Sequence, residues 1–284
     1  MPIEIKNLTY VYNPGSTFEK TALDDISLII ADNSFTGLIG HTGSGKSTLI
    51  QHLNGLLKPT SGQILIDGKD IHSKAADYKR LRQMVGLVFQ YPEHQLFELT
   101  VYNDVAFGPK NMGLSKDEID VRVRSALEAT GIPEHMYNKS PFDLSGGQKR
   151  RAAIAGVLAM QPRILILDEP TAGLDPRGRN EILERIKQMH LQLKLTIILV
   201  SHSMEDISRM VDTLVVMNNS KIAFSGIPRE IFIHSKELEG IGLSAPQPSM
   251  LMHKLREAGI DVPLDVFTVK DAVDVIRGMK GISD

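Results

Sequence analysis

The chain has 284 residues, 42% of them hydrophobic, with 34 acidic and 32 basic side chains and a formal net charge of −2. That suits one large globular domain with a small appendage, and it excludes a protein that grips nucleic acid by bulk positive charge. The sequence contains no cysteine, so disulfides, thiolate zinc sites and cysteine nucleophiles are excluded as well.

The amino terminus, Met1-Pro2-Ile3-Glu4-Ile5, lacks the basic-then-apolar pattern of a signal peptide. No apolar run approaches the roughly 20 residues that a membrane-spanning helix needs. Glu4–Tyr12 is rich in β-formers and is followed by the turn signal Pro14-Gly15-Ser16. Ser34–Ile39 reads as a short strand feeding Gly40-His41-Thr42-Gly43-Ser44-Gly45-Lys46-Ser47, a complete phosphate-loop pattern in the right context. Lys46–Leu57 follows as a helix closed by Pro59. Ile64–Asp67 is a strand stopped at Gly68, and Val85–Phe89 is an apolar strand that runs directly into Gln90.

From Tyr91 to about Asp143 the texture is helical. Ser115-Lys116-Asp117-Glu118 is a capping-box pattern, and Ile119, Val123, Ala126, Leu127 and Thr130 then mark one helical face that Gly131 and Pro133 end. Gly147–Met160 is an alanine-rich helix ended by Pro162. Arg163–Leu167 is a buried strand that delivers the adjacent carboxylates Asp168 and Glu169. Arg179–Leu193 is an amphipathic helix, and Thr196–Val200, Thr213–Met217 and Lys221–Ser225 are strands. Pro228 opens a short helix. Beyond about Gly240, helical patterns over Met250–Ala258 and Val269–Met279 form a carboxy-terminal appendage. Strands alternating with helices predict an α/β core with a mostly parallel sheet, into which the helical stretch is inserted.

The residue types at the loop follow from phosphate chemistry. Glycines let backbone N–H groups converge on phosphate oxygens, and the next helix turns its positive end toward the anion. Lys46 is expected on the β- and γ-phosphates and the Ser47 hydroxyl on Mg²⁺, while Thr42, Gly43 and Ser44 contribute mainly backbone. Asp168 sits at the carboxyl edge of its strand, where α/β sheets bind ligands, and is expected to hold Mg²⁺ directly or at one remove. Glu169 is placed to polarise the attacking water, a role that contributes about 10²–10⁴ in rate. Gln90 is a candidate to ligate Mg²⁺ or orient water. His202 is a candidate to donate to the γ-phosphate and hold the water against Glu169. Taken singly, Gln90 reads as a surface residue and His202 as a structural one; their common place at strand ends favours the site.

Leu144-Ser145-Gly146-Gly147-Gln148 lies between the loop and Asp168. With Gln90, Glu169, Gly173-Leu174-Asp175 and His202 it makes the chain resemble the ABC ATPases over roughly Ile3–Gly240. The resemblance implies a P-loop NTPase with a RecA-like core, an N-terminal antiparallel β subdomain and a helical subdomain at about 91–143. Residues 1–240 would form the nucleotide-binding unit and 241–284 an appendage serving as a second contact between ATPases. It also implies that two such chains enclose two ATP molecules head to tail. The loop from Gly40 to Thr48 would grip one side of each nucleotide, and Ser145, Gly147, Gln148 and Asp175 of the neighbour the other. Tyr12, with Tyr10 as the alternative, would stack on adenine.

Narrower motifs resemble the paired ATPases of energy-coupling factor importers: Ile39-Gly40-His41-Thr42-Gly43, Gln90-Tyr91-Pro92-Glu93-His94-Gln95-Leu96-Phe97 and Asp104-Val105-Ala106-Phe107-Gly108-Pro109. His41 and Tyr91 favour the second ATPase of the pair. That resemblance implies a non-identical partner ATPase, an integral membrane T-component and interchangeable substrate-binding S-components. It implies uptake of vitamins or transition-metal ions, with the chain peripheral at the cytoplasmic face of the membrane. The ATPase of another ABC importer, or of an ABC exporter, is the alternative. Tyr91–Leu99, with Tyr91, Leu96 and Phe97 as an apolar pocket and Glu93 and His94 as its charged rim, is expected to form part of a groove that receives a coupling helix from the membrane partner.

Overall fold

The computed structural model describes residues 2–280; residue 1 and residues 281–284, at the ends of the expected segments, lie outside the described residues. The chain opens with the hairpin of β1 (Ile3–Tyr12) and β2 (Lys20–Ile30), then β3 (Phe35–Ile39), α1 (Lys46–Leu53), β4 (Ser61–Ile66) and β5 (Lys69–Asp70). Next come α2 (Tyr78–Met84), β6 (Val85–Val88), and the helices α3 (Val101–Asn111), α4 (Lys116–Ala129) and α5 (Gly146–Leu158). β7 (Ile164–Asp168), α6 (Pro176–Leu193), β8 (Thr196–Val200), α7 (Met204–Met210), β9 (Thr213–Asn218) and β10 (Lys221–Gly226) complete the core. α8 (Pro228–Phe232), α9 (Ser235–Gly240), α10 (Gln247–Glu257) and α11 (Val269–Lys280) follow.

Two sheets form. The first, in the order β2-β1-β4-β5, is antiparallel throughout. The second has the order β10-β9-β3-β8-β7-β6, with β9, β3, β8, β7 and β6 mutually parallel and β10 antiparallel at its edge. Parallel strands covered on both faces read as unbroken apolar runs, and every residue of β3 and β8 is buried. The strand period of two divides β7 between two cores. Ile164 and Ile166 pack with Leu49, Ile50 and Leu53 of α1 beneath the antiparallel sheet, while Leu165 and Leu167 pack with Val105, Val123 and Leu158 of the helical segment.

Several boundaries differ from those the sequence predicts. α1 stops at Leu53 rather than Leu57, because Asn54 caps it and Gly55 takes φ +70°, outside the helical region. α6 starts at Pro176, three residues ahead of Arg179, because proline fits a first helical turn and the Asp175 carboxylate accepts from Gly178 N at 2.7 Å. β2, α2 and α7 were not legible as separate elements; α2 and α7 are each a short helix whose cap, Asp77 or Ser203, accepts from the backbone three residues on.

Met252, Val262, Val266 and Ala272 give the appendage its own small cluster. Phe232 meets Phe267 with ring centroids 5.6 Å apart, and Ser208 Oγ donates to Phe267 O at 3.4 Å, joining that cluster to the core. Among the described residues no helix is long and apolar enough to cross a membrane.

Candidate functional site

Four neighbouring parallel strands deliver their carboxyl ends to one place. β3 leads into Gly40, β6 into Phe89-Gln90, β7 ends on Asp168, and β8 is followed by Ser201-His202. Between them lies a cavity of about 390 Å³. It is lined by Thr42, Gly43, Gly45, Lys46, Ser47 and Thr48 from the loop and α1, and by Gln90, Asp168, Glu169 and His202 from the strand ends.

The loop is built around its own backbone. Gly40 (φ +155°) would place a Cβ 2.3 Å from Met217 O, and Gly45 (φ +108°) would place one 2.5 Å from Ala22 O, so neither tolerates a side chain. His41 ties the loop to β9, its Nε2 lying 3.1 Å from Asn218 Oδ1. Lys46 Nζ folds back and donates to Gly40 O at 2.6 Å and His41 O at 3.0 Å. Burial lowers the Lys46 pKa, against the opposing pull of Glu169 and Asp168. Ser44 is fully buried and its Oγ has no hydrogen-bond partner among the described residues. A cradle closed to Cβ atoms, with a buried cation and an unpartnered hydroxyl, suits an anion.

The two carboxylates are set differently. Burial raises the Asp168 pKa, with Lys46 opposing. Burial and then the Asp168 charge push Glu169 up to about 7. Glu169 takes φ +50°, a left-handed conformation uncommon for a residue with a side chain, and its N donates to Val200 O at 3.0 Å. His202 Nε2 lies 3.3 Å from Glu169 Oε1, yet that oxygen is buried without an aligned hydrogen bond. Burial, and then Lys46, lower the His202 pKa, which keeps the imidazole neutral at neutral pH. A carboxyl whose pKa is pushed up to about 7, on a residue that lines a cavity, can take a proton from water.

Ser47, Gln90 and Asp168 bring three oxygen donors to this cavity, the hard ligands a magnesium ion takes. Among the described residues no group of three or more His, Cys, Asp or Glu is arranged to hold a metal ion, so a cation here would rest on mixed protein oxygens and phosphate rather than on a dedicated cage. Tyr12 also lines the cavity, and its hydroxyl lies 3.2 Å from Thr48 Oγ1. Tyr10 turns into the core against His52, 4.7 Å between centroids. Lys20 and Ala22 line the same cavity; nothing in the β2 pattern singled them out.

Ser145, Gly147, Gln148 and Asp175 lie apart from this cavity. Ser145 and Gln148 close a capping box at the start of α5: Gln148 N donates to Ser145 Oγ at 3.3 Å, and Ser145 N to Gln148 Oε1 at 2.9 Å. Ser145 is exposed, and a Cβ added at Gly146 or Gly147 meets nothing within 4 Å. Nothing in the chain itself therefore requires glycine there.

The expected groove over Tyr91–Leu99 is corrected in part. Glu93 does not sit on a rim: its carboxylate accepts from Arg150 Nε at 3.0 Å and Arg150 Nη2 at 2.6 Å. The Tyr91 ring lies 5.9 Å from the same guanidinium. The groove, about 650 Å³, takes Gln95, Leu96 and Phe97 from the expected segment, Phe107 from α3, and Met112 and Met160 from just past the ends of α3 and α5. Phe97 and Phe107 meet edge to face at 5.1 Å and are both exposed. The buried Asp104 carboxylate accepts from Phe97 N and Glu98 N at 3.1 Å each and fixes that backbone. Arg150 was not singled out from the sequence, because an arginine in a basic stretch (Lys149-Arg150-Arg151) carries no sign of burial.

Residues 23–172 match the family model described as ABC transporter. The chain is similar to the energy-coupling factor transporter ATP-binding protein EcfA2 of Caldanaerobacter subterraneus, 55% identical over 99% of both chains. It is 56% identical to the EcfA2 of Clostridium acetobutylicum over 96% of each. Among solved structures, cbiO1 of Clostridium perfringens, part of the ABC transporter complex cbiONQ, superposes with a TM-score of 0.76 at 42% identity, covering 90% of this chain and 96% of that one. The ATP-binding cassette MJ0796, in a dimeric post-hydrolysis state bound to ADP and Pi, gives 0.70 at 28% identity, covering 80% of this chain and 98% of that one.

The raised Glu169 pKa has a consequence for stability. An acid that binds its proton more tightly when folded makes the folded state lose stability as pH climbs from the unfolded pKa to the folded one. Between pH 4.5 and about 7, Glu169 therefore subtracts stability from the native protein, and above that range its effect is constant. Glu169→Gln is expected to raise the melting temperature relative to the native protein by a margin that grows across this range and then levels. A margin independent of pH would show that the carboxyl is not raised.

Proposed function

The chain belongs to the ABC transporter family, and from that membership we propose that it is the ATP-binding and ATP-hydrolysing subunit of an energy-coupling factor importer. The observation that carries this reading is the meeting at one sheet edge of a complete phosphate loop and an adjacent Asp168–Glu169 pair, where burial pushes the Glu169 pKa up to about 7. Near full-length similarity to EcfA2 proteins supports the subtype.

In this reading the backbone of Gly40–Thr48 and the start of α1 hold the phosphates, and Lys46 exchanges its loop carbonyls for β- and γ-phosphate oxygens. Ser47, Gln90 and Asp168 hold Mg²⁺, which when bound neutralises the phosphate charge. Glu169 takes a proton from the attacking water while His202, neutral and beside it, orients water and γ-phosphate. Tyr12 rather than Tyr10 stacks on adenine, since Tyr12 lines the cavity and Tyr10 is packed away from it.

The Ser145 turn serves a second ATPase. Glycine costs about 1 kcal/mol relative to alanine in a helix, and nothing within the chain crowds Gly146 or Gly147. Bare N–H groups at a helix start, with a serine hydroxyl, suit a phosphate brought by a neighbour. Ser145, Gly147, Gln148 and the exposed Asp175 form that face. Moving such a pair from mostly open to mostly closed takes about 5.5 kcal/mol of differential binding; several charge-assisted hydrogen bonds of about 1.5–3 kcal/mol at each of two sites supply it.

The partner ATPase is a non-identical homologue, and residues 241–284 add a second contact to it beside the nucleotide-binding unit of residues 1–240. A membrane-embedded T-component places a coupling helix in the groove of Leu96, Phe97 and Phe107, holding the chain at the cytoplasmic face. S-components select the cargo, vitamins or transition-metal ions.

Purification from membranes tests the subtype. A second ABC ATPase and a small integral membrane protein should co-purify; a lone exporter-type membrane subunit would overturn the assignment. In the purified complex, Phe97→Ala is expected to lower cargo moved per ATP hydrolysed while ATP affinity stays unchanged, and intact coupling would remove the groove assignment. Replacing Ser145 and Gly147 together by alanine and valine is expected to cut ATP turnover about 100-fold or more, the scale of losing a transition-state donor, and to abolish ATP-driven association of the two ATPases. Unchanged turnover and association would refute the two-sided grip.

A further inference from the structure

Arg150 heads the largest fully buried side chains among the described residues, at 1% exposure. A guanidinium withdrawn from water is strongly penalised unless its donors are met, and here two other chain segments meet them. Nε and Nη2 form a two-pronged fork on the Glu93 carboxylate, at 3.0 and 2.6 Å. Nη1 donates to Pro170 O at 3.0 Å and to Ala172 O at 2.7 Å. The Tyr91 ring lies 5.9 Å from the guanidinium carbon, and Gly173 passes close to the same ring.

The places these partners occupy in the chain give the contact its meaning. Arg150 is on α5, the helix capped by Ser145. Glu93 follows Gln90 in the short turn Pro92–Gln95, beside the Phe97–Phe107 groove. Pro170 directly follows Glu169, and Ala172 leads through Gly173 and Leu174 to Asp175. One side chain thus joins the Gln90 turn, the Ser145 helix and the backbone just beyond Glu169.

We propose that Arg150 is a positioning residue that makes these three segments move as one, so that displacement of the Gln95–Phe97 side reaches Glu169 and the Ser145 turn together. The proposal rests on the roles given above to Glu169 and Ser145. The planar fork is essential to it, because a lysine ammonium is a point charge on a flexible stem and cannot hold the Glu93 carboxylate and two carbonyls in one fixed geometry. The Glu93 carboxylate is committed to the pair: burial raises its pKa, but the hydrogen bonds and charge of Arg150 outweigh that and leave it lowered.

The test uses the purified membrane complex, comparing the native chain with Arg150→Lys, Glu93→Gln, the double variant and Glu169→Gln. Misplacing a catalytic group from a distance costs up to about 100-fold. Arg150→Lys is therefore expected to lower kcat by about 10- to 100-fold while KM for ATP stays within about twofold. Glu93→Gln should act in the same direction, and the double variant should be no worse than Arg150→Lys, since both changes break one link. The fraction of protein that binds ATP is measured alongside. Both single variants keeping kcat within about twofold of the native value would overturn the proposal, as would a kcat loss that only follows the loss of ATP-binding protein. Should Arg150→Lys fail to fold, Glu93→Gln, which keeps an acceptor at the same place, decides alone. Glu169→Gln separates the two readings. If it turns over ATP normally, the catalytic assignment fails. If it is inactive while the Arg150 and Glu93 variants behave like the native chain, only the positioning role fails.

Discussion

One buried lysine and two half-buried carboxylates at the edge of a parallel sheet are what the proposed chemistry depends on. Lys46 loses part of its proton affinity to burial, and Asp168 and Glu169 hold it up in return. The balance depends on register. Asp168 pairs with Val200 in the ladder between β7 and β8, which brings His202 and Glu169 to one level. Slipping either strand by a residue would turn its carboxylate or imidazole to the other face of the sheet. The buried runs of β3, β7 and β8 leave no freedom for such a slip, because the same slip would carry Leu165 and Ile166 into the wrong cores.

A helix start appears twice in this fold with opposite surroundings. At α1 the loop wraps the helix terminus, Lys46 closes over it, and a Cβ at Gly40 or Gly45 would strike backbone. At α5 the terminus stands open, with two glycines that no neighbour in the chain demands. The first end is complete in one chain and the second is not, which is why the proposed mechanism needs a second ATPase and why ATP binding and subunit closure are linked in it.

The phosphate loop, the Ser145 turn and the Asp168–Glu169 pair were legible in the sequence because their chemistry fixes residue type and spacing over a few positions. Spacing alone does not distinguish Tyr12 from Tyr10, since residues two apart share a strand face; in the fold Tyr10 packs on His52 and Tyr12 lines the cavity. The helix expected over Lys46–Leu57 runs through Gly55, whose positive φ ends α1 at Leu53 instead. Glu93 looked like a rim residue because its partner lies 57 positions away. A buried arginine leaves no periodic trace, and only the fold brings Glu93, Arg150 and Pro170 together.

This chain has no cysteine, so an introduced thiol is the only one it carries. With Phe142→Cys, exposed and just ahead of the Ser145 turn, and a single cysteine in the phosphate loop of the partner ATPase, a short bifunctional thiol reagent can be applied to the membrane complex. The expected result is a cross-link between the two ATPases that forms with ATP, still forms when Glu169→Gln blocks turnover, and does not form when nucleotide is withheld. Failure of that cross-link to form with ATP, in a complex that hydrolyses ATP normally, would contradict a nucleotide gripped from both sides.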